Sequence, residues 1–262
     1  MENSLIEKEG RYILFLDILG FTGLIKRLNP EQVFRVIEEA LNEFNRWEGL
    51  NGSFRTLYFS DTFIFYQESK GYGDWAFLDI YALGGMIMTS LLAKGIATRG
   101  AISFGEFEVR GSTSQKHQMY FGEALIEACE AEKEEKWVGI SILNSAWAPY
   151  EKNNPGIIKV FEGEGVWKIK DDSRLLLNPF IKLRSYYASC LLQDGSNKFG
   201  VNKIEIEDDL KAFRYLHEQL KKYSSEPGES RKIFDKYLKT IEFIKEIFGK
   251  DMYKWCCEVD DI

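Results

Sequence analysis

The chain has 262 residues and a formal net charge of −7, with 45% hydrophobic and 29% charged residues. This length and composition are typical of a soluble globular protein with one large domain, or with one domain and an appendage. The acidic balance disfavours duplex nucleic acid as the main partner, because a phosphate backbone is bound by a basic surface.

In chain order, the hydrophobic pattern predicts alternating strands and helices. The elements predicted in the first part are a strand at 11–17, a helix at Pro30–Trp47, strands at 54–59 and 62–67, a helix at 74–94, a strand at 97–107, a helix at 122–136 and a strand at 138–143. Beyond residue 150 we predict short strands near 157–161 and 165–169, then amphipathic helices near 207–223 and 227–248. We interpret the charged run at 130–136 as a solvated helix face.

This order of elements favours an α+β fold with an antiparallel-rich sheet flanked by helices, rather than a doubly wound parallel sheet. Residues 10–145 are predicted to form one domain, and residues 146–262 a strand-plus-helix extension packed on it. The apolar stretch Trp75–Ala93 contains Asp79 and two glycines, which indicates a buried helix rather than a membrane span. Because the chain also opens on polar residues and its four cysteines match no zinc-site spacing, we expect a cytoplasmic protein without membrane association.

Two aspartates, Asp17 and Asp61, each end a short apolar run at a bend. A carboxylate in such a place is costly to desolvate unless it is paired or binds a cation. Two carboxylates that converge on one point would hold Mg²⁺ or Mn²⁺, which also bind phosphate oxygens. The alternative is a pair of turn-capping carboxylates, which are common. The first functional hypothesis is therefore nucleotide chemistry.

Residues 15–22 (FLDILGFT) closely resemble the first metal motif of class III nucleotidyl cyclases, the adenylyl and guanylyl cyclase catalytic domains. Ser60-Asp61 falls where that family has its Gly-Asp hairpin. Residues 99–106 and 120–124 resemble the family's later arginine-containing strand and the start of its next helix. These matches occur in family order and cover roughly residues 10–145. The resemblance implies a ferredoxin-like βαββαβ core.

Three positions depart from the purine cyclases. Leu57 stands where they carry a base-reading Lys or Glu, and it cannot hydrogen-bond a base. Ile126 and Glu130 stand where they carry an Asn and an Arg, and a Glu facing a triphosphate would repel it. This pattern is similar to the pyrimidine cyclases of bacterial Pycsar anti-phage systems. The resemblance implies conversion of UTP or CTP, with UTP preferred, into a 3′,5′-cyclic monophosphate that activates an effector protein.

The resemblance also implies a cofactor and an assembly. Two Mn²⁺ or Mg²⁺ ions per site would bridge Asp17, Asp61 and the phosphate oxygens. The Ile18 carbonyl could add a backbone ligand. The family builds its site between two catalytic domains, so a symmetric homodimer with composite sites is implied. The helix at 75–93 and the C-terminal helices are candidate dimer surfaces.

The residues that follow the first aspartate are candidates for phosphate binding. Their backbone N–H groups lie at a predicted helix start, where anions bind readily. These are the N–H groups of Leu19, Gly20, Phe21 and Thr22.

Three further side chains are candidates for contacts with the nucleotide. Arg55 could donate to a pyrimidine oxygen, and Tyr58 could donate its hydroxyl or stack on the base. The alternatives are a solvated charge at a strand end and a core aromatic. Arg99 could replace the missing helix arginine as the transition-state donor, or it could form a structural ion pair.

Two other functional interpretations remain open. One is an adenylyl or guanylyl cyclase with an atypical base pocket. The other is a degenerate, non-catalytic module that binds nucleotide or dimerises a partner. The loss of the Asn/Arg pair favours the degenerate module, whereas the presence of both aspartates favours an enzyme.

Overall fold

The computed structural model describes residues 10–47, 54–67, 74–110, 118–171, 174–191, 206–224 and 230–258. Its central sheet has seven strands in the order β2-β3-β1-β4-β7-β9-β8. The strands are β1 (Arg11–Ile18), β2 (Phe54–Phe59), β3 (Thr62–Gln67), β4 (Thr98–Gly105), β7 (Gly139–Leu143), β8 (Trp167–Asp171) and β9 (Arg174–Leu177). A separate hairpin pairs β5 (Glu108–Arg110) with β6 (Met119–Phe121). In the central sheet β4 and β7 pair in parallel, and the other neighbouring strands pair antiparallel.

Nine helices surround this sheet in the described part of the chain. They are α1 (Phe21–Arg27), α2 (Pro30–Trp47), α3 (Asp74–Ala93), α4 (Glu123–Glu134), α5 (Asn144–Asn153), α6 (Ile157–Gly163), α7 (Ile181–Cys190), α8 (Glu207–Ser224) and α9 (Ser230–Glu258). Gly249 interrupts α9 with a left-handed φ of 70°. The prediction of an α+β fold with an antiparallel-rich sheet, flanking helices and a C-terminal helical part is confirmed.

The first four strands of the sheet form a ferredoxin-like core. The order β4-β1-β3-β2, with all neighbours antiparallel and with helices between β1 and β2 and between β3 and β4, is the βαββαβ arrangement. Beyond β4, the sheet continues through β7 into β9 and β8, which lie in the predicted C-terminal extension. The extension therefore adds strands to the same sheet.

Strand β1 lies in the middle of the core, and both of its faces are covered. Leu14 and Leu16 point to the side packed with α3, which we call the α3 face. Ile13 and Phe15 point to the side packed with α4, which we call the α4 face. Burial on both faces explains why the β1 sequence is a nearly continuous apolar run rather than an alternating one.

Helix α3 is the central helix of the α3 face and packs against α2 and α8. The segment Trp75–Ala93 is long and apolar enough to cross a membrane, but 72% of that window is buried inside the protein. Its apolar residues therefore lie mostly in the core, as predicted. Trp75, at the start of α3, is 74% exposed, and α3 as a dimer surface stays a prediction.

One predicted strand is wrong. Residues near 157–161 form helix α6, in which Ile158 is buried and its carbonyl oxygen accepts a hydrogen bond from the indole N–H of Trp167 at 3.0 Å. The β-branched residues Ile157, Ile158 and Val160 have strand propensity, but packing against Trp167 overrides it. The strand predicted near 165–169 is confirmed as β8.

Candidate functional site

The end of β1 and the turn between β2 and β3 meet at one end of the sheet. Asp17 of β1 lies opposite Arg99 of β4. The turn consists of Ser60 and Asp61, and Ser60 has a left-handed φ of 59°, a conformation typical of tight hairpins. The amide of Ile18 donates to the carbonyl oxygen of Asp61 at 2.8 Å. The structure thus brings together the two bends that carry the aspartates.

The carboxyl group of Asp17 lies among other charged groups. Burial, together with the negative charges of Glu132 and Asp61, raises the pKa of Asp17 to about 6, although Arg99 and Lys236 act in the opposite direction. Three carboxylates therefore share a small, partly buried region with two cations. A cluster of ionisable groups that includes a shifted pKa is typical of a functional site.

The donor chemistry of the two aspartates fits a hard divalent cation. Mg²⁺ and Mn²⁺ prefer oxygen ligands, and a cation bound by Asp17 and Asp61 would offset their mutual repulsion. Within the described ranges, no group of three or more His, Cys, Asp and Glu side chains is arranged to hold a metal ion. A cation at this pair would take its other ligands from backbone carbonyls, such as that of Ile18, from water or from a bound phosphate.

Arg99 is held by contacts within the protein. Its Nη1 donates to the backbone carbonyl of Glu135 at 3.1 Å, and its Nε forms an ion pair with Glu132. Its Nη2 lies 3.7 Å from Oδ2 of Asp17. These contacts match the structural ion pair that was the alternative for this residue. The transition-state role of Arg99 stays a prediction.

Two glutamates near the end of α4 correct the prediction of a solvated helix face at 130–136. Glu132 and Glu135 are only 4% and 1% exposed. Glu135 lies 3.1 Å from Nη1 of Arg174 and 3.3 Å from Nζ of Lys170. Glu132 follows Ala124 and Ala128 at intervals of four residues, and both alanines are buried. That spacing was the sequence signal for a buried Glu132, because residues four apart share one helix face.

The opposite side of α4 carries the positions where the resemblance places an Asn and an Arg. Ile126 and Glu130 are both exposed. The buried side of α4 instead packs Ala124, Ala128 and Ala131 on the sheet. Ile126 and Glu130 therefore point away from the sheet face that carries Asp17.

In the loop after β1, one of the four amides predicted to bind phosphate already has a hydrogen-bond partner within the protein. The amide of Leu19 already donates to the carbonyl oxygen of Ala97 at 2.8 Å. Gly20 has a left-handed φ of 73° at the N-cap of α1, where a side chain would be strained. The phosphate-binding prediction therefore rests on the backbone of Gly20, Phe21 and Thr22.

The two residues predicted to read a base lie on opposite faces of β2. Arg55 pairs with Tyr66 of β3, so its side chain lies on the α4 face, as does that of Asp17. Tyr58 lies on the α3 face and stacks on Phe63, with ring centroids 4.6 Å apart. Alternation along the strand therefore places the two candidates on opposite faces of the sheet, so they would not contact one base together. Tyr58 is 37% exposed, so it is not the core aromatic of the alternative interpretation, and its role at a base stays a prediction.

The C-terminal helix α9 reaches this end of the sheet, which the sequence did not reveal. The hydroxyl of Thr240 accepts from the amide of Val138 at 2.9 Å and lies 3.0 Å from the carbonyl oxygen of the same residue. Val138 directly precedes β7, whose first residue pairs with Arg99. One turn before Thr240, Lys236 lies close enough to Asp17 for its charge to act on that carboxyl group.

No protein-family model matches this chain, and no curated protein matches it. Among solved structures, the chain is similar to the adenylyl cyclase CyaB from P. aeruginosa, with a TM-score of 0.49 and 15% identity over 66% of this chain and 95% of that one. The dimeric guanylyl cyclase domain of the RhoGC fusion protein from Blastocladiella emersonii gives a TM-score of 0.47 and 14% identity, over 64% and 96% of the two chains. The guanylyl cyclase Cya2 gives 0.46 and 16%, over 65% and 92%. Similarities of this size carry no argument about the activity of this chain.

Proposed function

We propose that this chain is a nucleotidyl cyclase, which converts a nucleoside triphosphate into a 3′,5′-cyclic monophosphate and pyrophosphate. The observation that carries the proposal is the meeting of Asp17 and Asp61 at one end of the sheet, close enough that the charge of Asp61 acts on the carboxyl group of Asp17. The motif resemblance around these residues supports the same reaction.

In the proposed reaction the ribose 3′-oxygen attacks the α-phosphorus, and the bond to the bridging oxygen of pyrophosphate breaks. Two Mn²⁺ or Mg²⁺ ions, when bound, would lower the pKa of the 3′-hydroxyl and offset the charge of the leaving group. Asp17 and Asp61 would hold these ions as carboxylates, and the Ile18 carbonyl could add a ligand. Because a ligand must be deprotonated, the raised pKa of Asp17 makes cation binding weaker in acid.

We propose that the substrate is a pyrimidine nucleotide, with UTP preferred over CTP. Leu57 lies on the α4 face, on the same side of the sheet as Asp17, and offers a base no hydrogen bond. Arg55 lies two residues away on that face and has donors suited to the O2 or O4 atom of a pyrimidine. The cyclic product would act in anti-phage signalling in the cytoplasm, through an effector that binds it.

A homodimer with composite sites is part of the proposal. Large apolar side chains are exposed on β2, on β6 and on the outer side of α4. They are Phe59, Met119, Phe121 and Ile126. Phe59, which is 77% exposed, lies on the α4 face beside the turn that carries Asp61. A second copy of the chain that covers these side chains would close the site from outside.

The experiment is an assay of product formation from each of the four common nucleoside triphosphates with Mn²⁺, with the products identified by mass spectrometry. Cyclic UMP or cyclic CMP is expected from the wild-type protein. Asp208→Ala, which removes an exposed aspartate of α8, serves as the control for Asp17→Ala and Asp61→Ala. Equal product from all three variants would contradict the proposed mechanism. Cyclic purine products alone would contradict the pyrimidine assignment.

One observation favours a second candidate, the non-catalytic module. Arg99 lies 3.7 Å from Asp17, so an internal cation partly neutralises this carboxylate. A degenerate site would keep that arrangement permanently. Nucleotide binding without any cyclic product in the same assay would identify this alternative.

A further inference from the structure

Helix α9 is fixed to the end of the sheet next to Arg99. The hydroxyl of Thr240 bonds both backbone groups of Val138, and Thr240 is only 2% exposed. The ring of Phe243, one turn further, packs edge-on against Trp137 at a centroid distance of 5.1 Å. Both contacts fall on the residues that lead into β7. The part of α9 just before Thr240 is therefore held beside the carboxylates of the candidate site.

Lys236 lies in this part of α9 and is only partly exposed. Asp17 and Glu132 act on its ammonium group favourably, and Arg99 acts unfavourably. Burial is the largest cause that lowers the pKa of Lys236. Lys236 forms no direct ion pair with any residue that the structure describes. Its ammonium group thus keeps its hydrogen-bond donors beside a cluster of carboxylates.

Arg99 and Lys236, the two cations that act on Asp17, differ in their contacts with the rest of the protein. Arg99 forms an ion pair with Glu132 through Nε and a hydrogen bond to the backbone of Glu135 through Nη1, and its Nη2 lies 3.7 Å from Asp17. An ammonium group is a compact charge with three donors, which suits a phosphate oxygen. If divalent cations balance the charge of Asp17, an anion beside them would meet the ammonium group of Lys236, which forms no ion pair with the residues that the structure describes.

We propose that Lys236 of the C-terminal helix α9 binds a phosphate group of the substrate and of the pyrophosphate product, beside the cations held by Asp17 and Asp61. This inference rests on the proposed function for the presence of those cations. It assigns to the region beyond the ferredoxin-like core a direct part in substrate binding. Lys236 acts from the same chain that supplies the two aspartates.

The test measures the binding of inorganic pyrophosphate in the presence of Mn²⁺, and of Mn²⁺ alone, by isothermal titration calorimetry. Pyrophosphate has no base, so the result does not depend on which nucleotide the protein uses. The variants are Lys236→Met, Lys236→Arg and the control Lys239→Met. Lys239 is exposed on the same helix, so the two methionine variants change the net charge equally. Thermal unfolding of each variant checks its fold, and Lys236→Gln replaces Lys236→Met if the latter is unstable.

We expect Lys236→Met to weaken pyrophosphate binding by about tenfold or more, which is the scale of one charge-assisted hydrogen bond. Lys236→Arg and Lys239→Met should stay within about twofold of wild type. Mn²⁺ alone should bind Lys236→Met at least as tightly as wild type, because a repelling charge is gone. Pyrophosphate binding that is unchanged in Lys236→Met would overturn the inference.

Two further results also decide the inference. A fall in pyrophosphate binding that is matched by an equal fall in Mn²⁺ binding would overturn it, since Lys236 would then act only through the carboxylates. A wild-type protein that binds no pyrophosphate would overturn it as well. If pyrophosphate binding depends on Lys236 but no nucleotide is cyclised, the proposed function fails and the inference stands. If nucleotide is cyclised and Lys236→Met binds pyrophosphate normally, only the inference fails.

Discussion

The two faces of the central sheet are built differently. The α3 face is covered by α3, with α8 and α9 behind it, and contains large, fully buried side chains such as Trp167, Phe77 and Phe180. The α4 face is covered by α4, which packs through small alanines, and by the residues of and beside the β5-β6 hairpin. The difference indicates that the α3 face supplies most of the stability, whereas the α4 face leaves one end of the sheet open for charged groups.

The largest expected effect concerns activity on the α4 face. Asp17→Ala and Asp61→Ala should each lower cyclase turnover by about a hundredfold or more, because each removes a cation ligand. Neither should lower the melting temperature, since Asp17 is repelled by its carboxylate neighbours. Steady-state turnover and thermal unfolding on the same samples check this. A variant that kept its turnover but had a lower melting temperature would mean that its aspartate contributes to stability and not to catalysis.

On the α3 face, the next effect should appear in stability. Trp167 is fully buried against Phe77 and Tyr81, and its indole N–H is bonded. Trp167→Ala should lower the free energy of unfolding by about 3–5 kcal/mol, as is typical for large core residues. Phe59→Ala on the exposed α4 face should change it by no more than about 0.5 kcal/mol. Urea denaturation measures both, and similar losses would contradict the proposed division.

A smaller effect on stability is expected among the charged groups at the end of the α4 face. Arg99→Met would leave Glu132 buried without its ion-pair partner. Removal of one partner from such a pair is destabilising, here by about 3 kcal/mol. The double variant Arg99→Met with Glu132→Gln should recover part of that loss, which urea denaturation can show. No recovery in the double variant would mean that the two side chains are not coupled.

The smallest effect is a pH dependence of stability. The pKa of Asp17 is about 6 in the folded protein against an ordinary value of 3.8, so its contribution is fully present below about pH 4. As pH rises through 6, the folded protein loses that proton and the contribution is lost. Asp17→Asn should remove this part of the decline between pH 4 and 6. Melting temperatures measured without metal across that range check the sign.

Asp209, a buried aspartate on the α3 face, can be compared with Asp17. Burial raises the pKa of Asp209 to about 7, and its carboxylate accepts from the amide of Leu183 at 3.3 Å. Asp209→Asn should alter the decline of stability mainly between pH 4 and 7. Added Mn²⁺ at neutral pH should raise the melting temperature of Asp209→Asn but not of Asp17→Asn. Stabilisation of both variants by Mn²⁺ would place the cation elsewhere.

Local patterns in the sequence predicted most of the framework. The apolar run of β1 and the two-residue turn at Ser60-Asp61 predicted the strands. They also indicated that the two aspartates lie close together. The sequence alone could also have predicted the face of the sheet on which Tyr58 lies. The turn at Asp61 has two residues, and side chains alternate along a strand. The same alternation separates Tyr58 from Arg55, the other candidate for a contact with the base.

Other features of the site had no local signal. The position of Lys236 depends on how α9 docks through Thr240 onto Val138, a contact between segments far apart in sequence. The ion pairs of Glu135 depend on Arg174 and Lys170, which are brought in by β8 and β9. Propensity and periodicity describe neighbours along the chain, so they cannot specify such partners.

The shared sheet limits how this protein can be divided. A polypeptide that ended at residue 145 would leave β7 as a bare edge with the apolar sequence of Gly139–Leu143, which invites aggregation. It would also leave Glu135 without the two basic side chains that balance it. Transfer of the N-terminal part into another protein should therefore fail unless strands β8 and β9 are included.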